Sequence, residues 1–412
     1  MAVGILAYFT HDDGIVLTVL TPGATAPVLA RPGPGTDVPL FTASDLRDRV
    51  TRLLVDVHGL PPDWDHELAI ERYARALRLP PAVNAAKRTG PILQRKLRNP
   101  AFSYGTEYLD ELGPSLLPAD VRPLIAGCDV LCIVPHGPLH SIPFAMLPWD
   151  AEQRLGERFG ICQLPSASLL PLLQERNPAR QSGPGPRTGL VAAVAAAEDA
   201  DPAELEADAA MLAGLLQETH GTVRSLVGAT GPAAATREAV LSAASGHDVV
   251  HLACHGVFTE RADDPMDSSG LLLSNGREPP ALAAYLAGGR RPGELDGHLL
   301  SARDVLSLSL QAELVTLRAC SSGRSAAASG DELLGLIRAF LYAGTPSVVA
   351  SLWNVNKASS RLLLEHFYRA WLGPGGTPKW RALQVAQQKL RAIGEYDHPF
   401  HWAPFVLIGD WH

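Results

Sequence analysis

Two apolar runs, each cut short by small residues, constrain this chain more than any other feature. Leu314-Val315-Thr316-Leu317 passes through Arg318 and Ala319 to Cys320 and the turn-forming Ser321-Ser322-Gly323, while Val249 to Cys254 is stopped by His255-Gly256. A strand buried on both faces of a parallel sheet reads as such a continuous, β-branched run. In open α/β sheets the chemistry collects beyond the carboxyl ends of the strands, so the two stretches propose a pair, Cys320 and His255. A cysteine nucleophile needs a neighbouring base or cation to raise its thiolate fraction, and histidine is the usual device. Taken singly, either residue is explained as a satisfied core group closing its strand. The backbone amides of Gly256 and Cys320 are candidates for an oxyanion hole, and the missing Cβ of Gly256 would let a carbonyl approach the chain.

The rest of the chain reads as alternating elements. Val3 to Phe9 and Ile15 to Leu20 form a hairpin around Asp13-Gly14, and the Pro/Gly-rich piece from Thr21 to Pro39 is a loop. Helical spacing follows from Leu46 to Val57, from Glu67 to Leu79 and from Gly105 to Leu117, and Val130 to Pro135 is a buried strand. Pro, Gly, Arg and Ser replace the apolar pattern from Gln174 to Gly189, which divides the chain into residues 1–175, a linker at 176–188, and residues 189–412. In the second half, strands at Gly189, Val223, Val249, Leu314, Ser347 and Pro404 alternate with helices, the pattern of an α/β fold with a mainly parallel sheet covered on both faces.

Composition removes several function classes. A formal net charge of −8 and the absence of a long Lys/Arg run argue against nucleic-acid binding. No apolar segment reaches the roughly 20 residues of a membrane span, and Asp12-Asp13 interrupts the first strand too early for a signal peptide. The expectation is a cytoplasmic protein that binds neither membrane nor metal and needs no cofactor. Five cysteines in 412 residues do not make a disulfide framework. His247, His251, Cys254 and His255 are close enough in sequence to suggest zinc, but on an extended strand His251 and His255 share one face while Cys254 takes the other, which leaves His251 as a neighbour of His255 or a buried structural group.

VVHLACHGVF, LVTLRACSSG, GDELLGLIRAFLYAGTPSVVASLWNVN and HPFHWAPFVLIGD, in that order, closely resemble the CHAT-domain family of caspase-like cysteine peptidases, relatives of separase and the caspases. The resemblance is close over residues 249–410, with a weaker echo at VLCIVPHGPLHSIPFAML, residues 130–147. It implies a caspase-like sheet in the second half and a degenerate caspase-like first half. It makes His255 the base or orienting group and Cys320 the nucleophile of a regulated endopeptidase that cuts a specific protein, in a bacterial signalling or defence system. A separate activator, sensor chain or ligand is implied as partner. The alternative is a catalytically silent caspase-fold scaffold.

Relatives that cut after a basic residue place an acidic side chain shortly beyond a W-x-V motif. Here Trp353, Asn356 and Lys357 are the corresponding pocket candidates, and an ammonium at Lys357 would repel an Arg or Lys side chain. The small, polar stretch after the nucleophile, with Ser321, Gly323 and Arg324, is the candidate for a loop that orders on activation, and Arg324 for self-processing. Asp331 and Glu332 read as the cap of the next helix. His136-Gly137 mimics the His-Gly pair in the first half, but none of Cys128, Cys132 and Cys162 is followed by a comparable small-residue turn.

Overall fold

The computed structural model describes residues 1–11, 14–30, 41, 45–46, 49, 106–177, 187–195, 203–219, 221–257, 265–279, 295, 297–321, 329–353, 357–373 and 375–412. The helices expected at Leu46 to Val57 and Glu67 to Leu79 fall almost wholly outside these residues. By contact density the chain forms two compact units, Met1–Ile161 with Arg324–Gly330, and Cys162–Gly323 with Asp331–His412. The division falls before the composition break at 176–188. Gln163 already pairs with Ile408 of the last strand, which commits the residues after 161 to the second unit.

In the first unit, β1 (Val3–His11) and β2 (Gly14–Leu20) form the expected hairpin, with His11 opposite Gly14. β4 (Val130–Val134) runs parallel to β1 on its other side. The stretch read as a loop contains a third strand, β3 (Val28–Ala30), which pairs antiparallel with β2. Three residues are too few for a two-residue period to show, so only the pairing reveals it. Helix α1 (Thr106–Leu116) buries Leu109, Leu112 and Leu116, one face at three- and four-residue spacing. The Tyr8 hydroxyl donates to the carbonyl of Leu116 at 2.7 Å, which ties β1 to the end of that helix.

The second unit is built on a sheet in the order β7 (Thr222–Val227), β6 (Thr188–Ala193), β8 (Val249–Val257), β11 (Leu314–Ser321) and β12 (Ser347–Ser351), all parallel, followed by antiparallel β13 (Phe405–Gly409). β5 (Gly160–Gln163) reaches β13 through Gln163. Leu190, Val191, Val249, Val250, Leu252, Val315, Leu317, Val348 and Val349 are buried, residues of both parities along their strands, as expected where both faces of the sheet are covered. Each fully buried side chain of this size contributes about 1.5–3 kcal/mol.

The helices are legible from their own residues. α2 (Ala203–Glu218) packs on β6 and β7. α3 (Arg237–Ala244) is capped by Thr236, whose hydroxyl accepts from the amide of Ala239 at 3.1 Å. α4 (Ser329–Ala343) begins two residues before Asp331, so Asp331 and Glu332 lie in its first turn instead of capping it. α5 (Lys357–Leu372) buries Ser359, Ser360, Leu363, Leu364, Phe367, Tyr368, Trp371 and Leu372, a stripe two residues wide repeating every four, and α6 (Lys379–Arg391) packs along it.

Candidate active site

The site begins with a change of partner along β8. Through Ala253 this strand is flanked by β6, in the register Ala193 to Ala253. From His255 onward its neighbour on that side is the short antiparallel β9 (Gly270–Leu272), with His255 opposite Leu272 and Val257 opposite Gly270, and β9 is held in turn by β10 (Leu299–Ser301). The strand therefore does not stop at His255-Gly256, as its sequence suggested. It continues to Val257 because β9 supplies the hydrogen-bonding edge that β6 gives up. His255 is half-buried at this switch of neighbours.

On the other side of β8, β11 stays in parallel register throughout, and Cys320 falls opposite His255, with Ser321 opposite Gly256. Registered residues on adjacent strands stand about 4.8 Å apart at Cα. Residues separated by 65 positions in the chain are thus nearest neighbours across the ladder at its carboxyl end. The pairing of β11 with β12 closes earlier, at Leu317 and Ala350, so Cys320 extends past the end of that ladder. Ser321, read as the start of a loop, is the last residue of β11; its register with Gly256 holds it in the sheet. Gly256 is flanked on both sides, by Ser321 and by Leu271. Gly323 and Arg324 lie outside the described residues, as does Asn356.

Below His255 the same face of the sheet carries a polar column, of which the sequence signalled only His251. His251 is fully buried, and its Nδ1 lies 3.2 Å from the hydroxyl of Tyr368 on α5. That hydroxyl donates to Thr316 Oγ1 at 2.7 Å, so its oxygen accepts from Nδ1–H, and Nε2 is the bare ring nitrogen. Burial pushes the imidazole down to about 4, because a proton at Nε2 would meet no partner among the described residues. One step up the column, Arg318 pairs with Asp208 of α2 and bonds Ser360 and the backbone of Lys357 on α5. A charged residue inside an apolar strand was the available sequence signal, since a buried guanidinium requires a partner.

The remaining candidates are placed as follows. Trp353 is 2% exposed, and its indole N–H donates to the carbonyl of Phe400 at 3.2 Å, which makes it a brace for the segment before β13. Lys357 opens α5 and is half-buried. Near it, His401 Nδ1 lies 3.0 Å from Ser359 Oγ. In the first unit, His136 Nδ1 takes the backbone amide of Thr10 at 3.2 Å and lies 2.8 Å from its hydroxyl, so the mimic of the His-Gly pair faces a threonine on β1. Cys128, Cys132, Cys162 and Cys254 are buried thiols. Among the described residues no group of three His, Cys, Asp or Glu side chains could hold a metal ion, and no helix is long and apolar enough to cross a membrane.

Comparison with known proteins agrees with this architecture. The CHAT domain matches residues 106–410. Human tetratricopeptide repeat protein 28 is 30% identical over 305 residues, covering 68% of this chain, and its mouse counterpart is 28% identical over 306 residues, again covering 68%. In both cases the match spans 12% of the relative's own length. Among solved structures, the separase–securin complex of Saccharomyces cerevisiae superposes with a TM-score of 0.54 over 99% of this chain and 30% of that one, at 12% identity, a likeness of fold.

Proposed function

Because the chain belongs to the CHAT domain family and has a caspase-like fold, we propose that it is a regulated cysteine endopeptidase in which Cys320 is the nucleophile and His255 its proton carrier. The observation that carries this reading is the register that sets Cys320 beside His255 where β8 and β11 reach their carboxyl ends. The Cys320 thiolate would add to the scissile carbonyl carbon, and the His255 imidazolium would give its proton to the departing amine, leaving a thioester. Water then attacks that thioester, His255 takes its proton, and the acid and the thiolate are released. The amides of Gly256 and Cys320 are the oxyanion donors we assign.

The substrate is a protein. The separase that this fold resembles was crystallised with securin, a protein partner. On that pattern an activating or restraining chain is the partner we assign here, within a signalling or defence system. With Lys357 opening α5 in place of a carboxylate, acidic or neutral side chains are the expected residues before the cut.

The test is cleavage of a peptide library by the wild-type chain, Cys320→Ala and His255→Ala, each checked for melting temperature. Both substitutions should lower kcat/KM by at least about a thousandfold with folding retained. A library profile dominated by Arg, or activity surviving in Cys320→Ala, would overturn the assignment.

A further inference from the structure

Two residues before Cys320, β11 places a charge inside the fold. Arg318 is 7% exposed, and Asp208, its partner from α2, is wholly buried. The guanidinium reaches a second helix as well: Nε donates to Ser360 Oγ at 3.0 Å, and Nη2 to the carbonyl oxygen of Lys357 at 3.1 Å. Ser360 Oγ donates to the same carbonyl at 2.9 Å. Arg318 therefore holds the first residue of α5 twice, once directly and once through Ser360.

Stability does not account for this arrangement. A buried ion pair is often replaced by apolar side chains at no net cost, because the desolvation of two charges offsets their attraction. A cation beside a helix N-terminus also opposes the helix dipole, and the Asp208 carboxylate offsets that. What the pair supplies is direction. A planar fork fixes the orientation of its acceptors, and here the acceptor is the backbone of Lys357. Cys320 follows about 6.6 Å further along the same strand.

We infer that Arg318 is a positioning residue, which fixes the start of α5, and with it the specificity candidate Lys357, at a set height against the strand that carries Cys320. Its effect on substrate choice rests on the peptidase reading; its effect on α5 does not. An Arg318→Met/Asp208→Leu double variant removes both charges and leaves no lone buried ion, and Arg318→Lys keeps the charge without the fork.

Two measurements decide. Limited trypsin digestion read by mass spectrometry follows the Lys357–Ala358 bond, whose carbonyl Arg318 holds. In the double variant this bond should be cut about tenfold faster, other sites being unchanged, while the melting temperature stays within about 5 °C of wild type. With the best library peptide, KM should rise about tenfold with kcat within about twofold, and Arg318→Lys should fall between. A folded double variant cut at Lys357 as slowly as wild type would overturn the inference, and so would faster cutting with KM unchanged. If the double variant does not fold, the same two measurements on Arg318→Lys decide. Where the wild-type chain by itself cleaves no peptide, as a regulated enzyme at rest would not, the trypsin arm alone judges the hold on α5.

Discussion

Acid should weaken this fold through His251, and the size of the effect follows from its surroundings. The side chain is fully buried, its Nδ1–H goes to Tyr368, and Tyr368 in turn donates to Thr316. Tyr368 is the titratable group that faces the ring from α5, and burial raises its own pKa, so it stays neutral and offers no charge to stabilise an imidazolium. With the folded value lowered to about 4 from an ordinary 6.5, the native state binds fewer protons than the unfolded chain between those limits. The contribution is complete above pH 6.5 and is lost as pH falls toward 4. Between pH 7.5 and 4.5 the linkage amounts to about 2.5 kcal/mol. Urea unfolding of wild type and His251→Phe at both pH values measures it. The constant cost of the substitution and the titration of His366, His398 and His401, whose values burial also lowers, cancel in the difference of differences. The wild type should lose about 2.5 kcal/mol more than the variant on acidification. Equal losses would refute the argument and show that a proton at His251 finds an acceptor.

Two further outcomes follow from the geometry. Gly270→Ala should destabilise the second unit by about 1–3 kcal/mol, since a Cβ there would stand 2.2 Å from the carbonyl oxygen of Leu300; because Gly270 pairs with Val257, thermal melting and peptide cleavage should fall together. His136→Ala should leave peptide cleavage within about twofold of wild type, because that ring is engaged by Thr10 on β1, and a larger loss would show a second working site.

Much of the second unit was legible in the residues. Val249 to Cys254 and Leu314 to Leu317 are apolar runs too short and too β-branched for helices, and the stripe from Ser359 to Leu372 repeats at a helical interval. What failed did so for local reasons. β3 is too short to carry a pattern, and the last residues of β8 are strand only because β9 arrives from elsewhere. Ser321 has the composition of a loop but a partner in Gly256. In the polar column only His251 was legible, as a buried group on the face of His255; its partners Thr316 and Tyr368, and the pair of Arg318 with Asp208, went unread because these hydrogen bonds join residues up to 117 positions apart.

The amino-acid order alone determined that Cys320 and His255 each follow an apolar run and precede small residues, since periodicity and turn chemistry are local properties. Which strands become neighbours, and in what register, was settled only in three dimensions. A slip of one residue between β8 and β11 would send their side chains to opposite faces. The register that pairs Cys320 with His255 is maintained by the burial of β8 and β11 on both faces of the sheet.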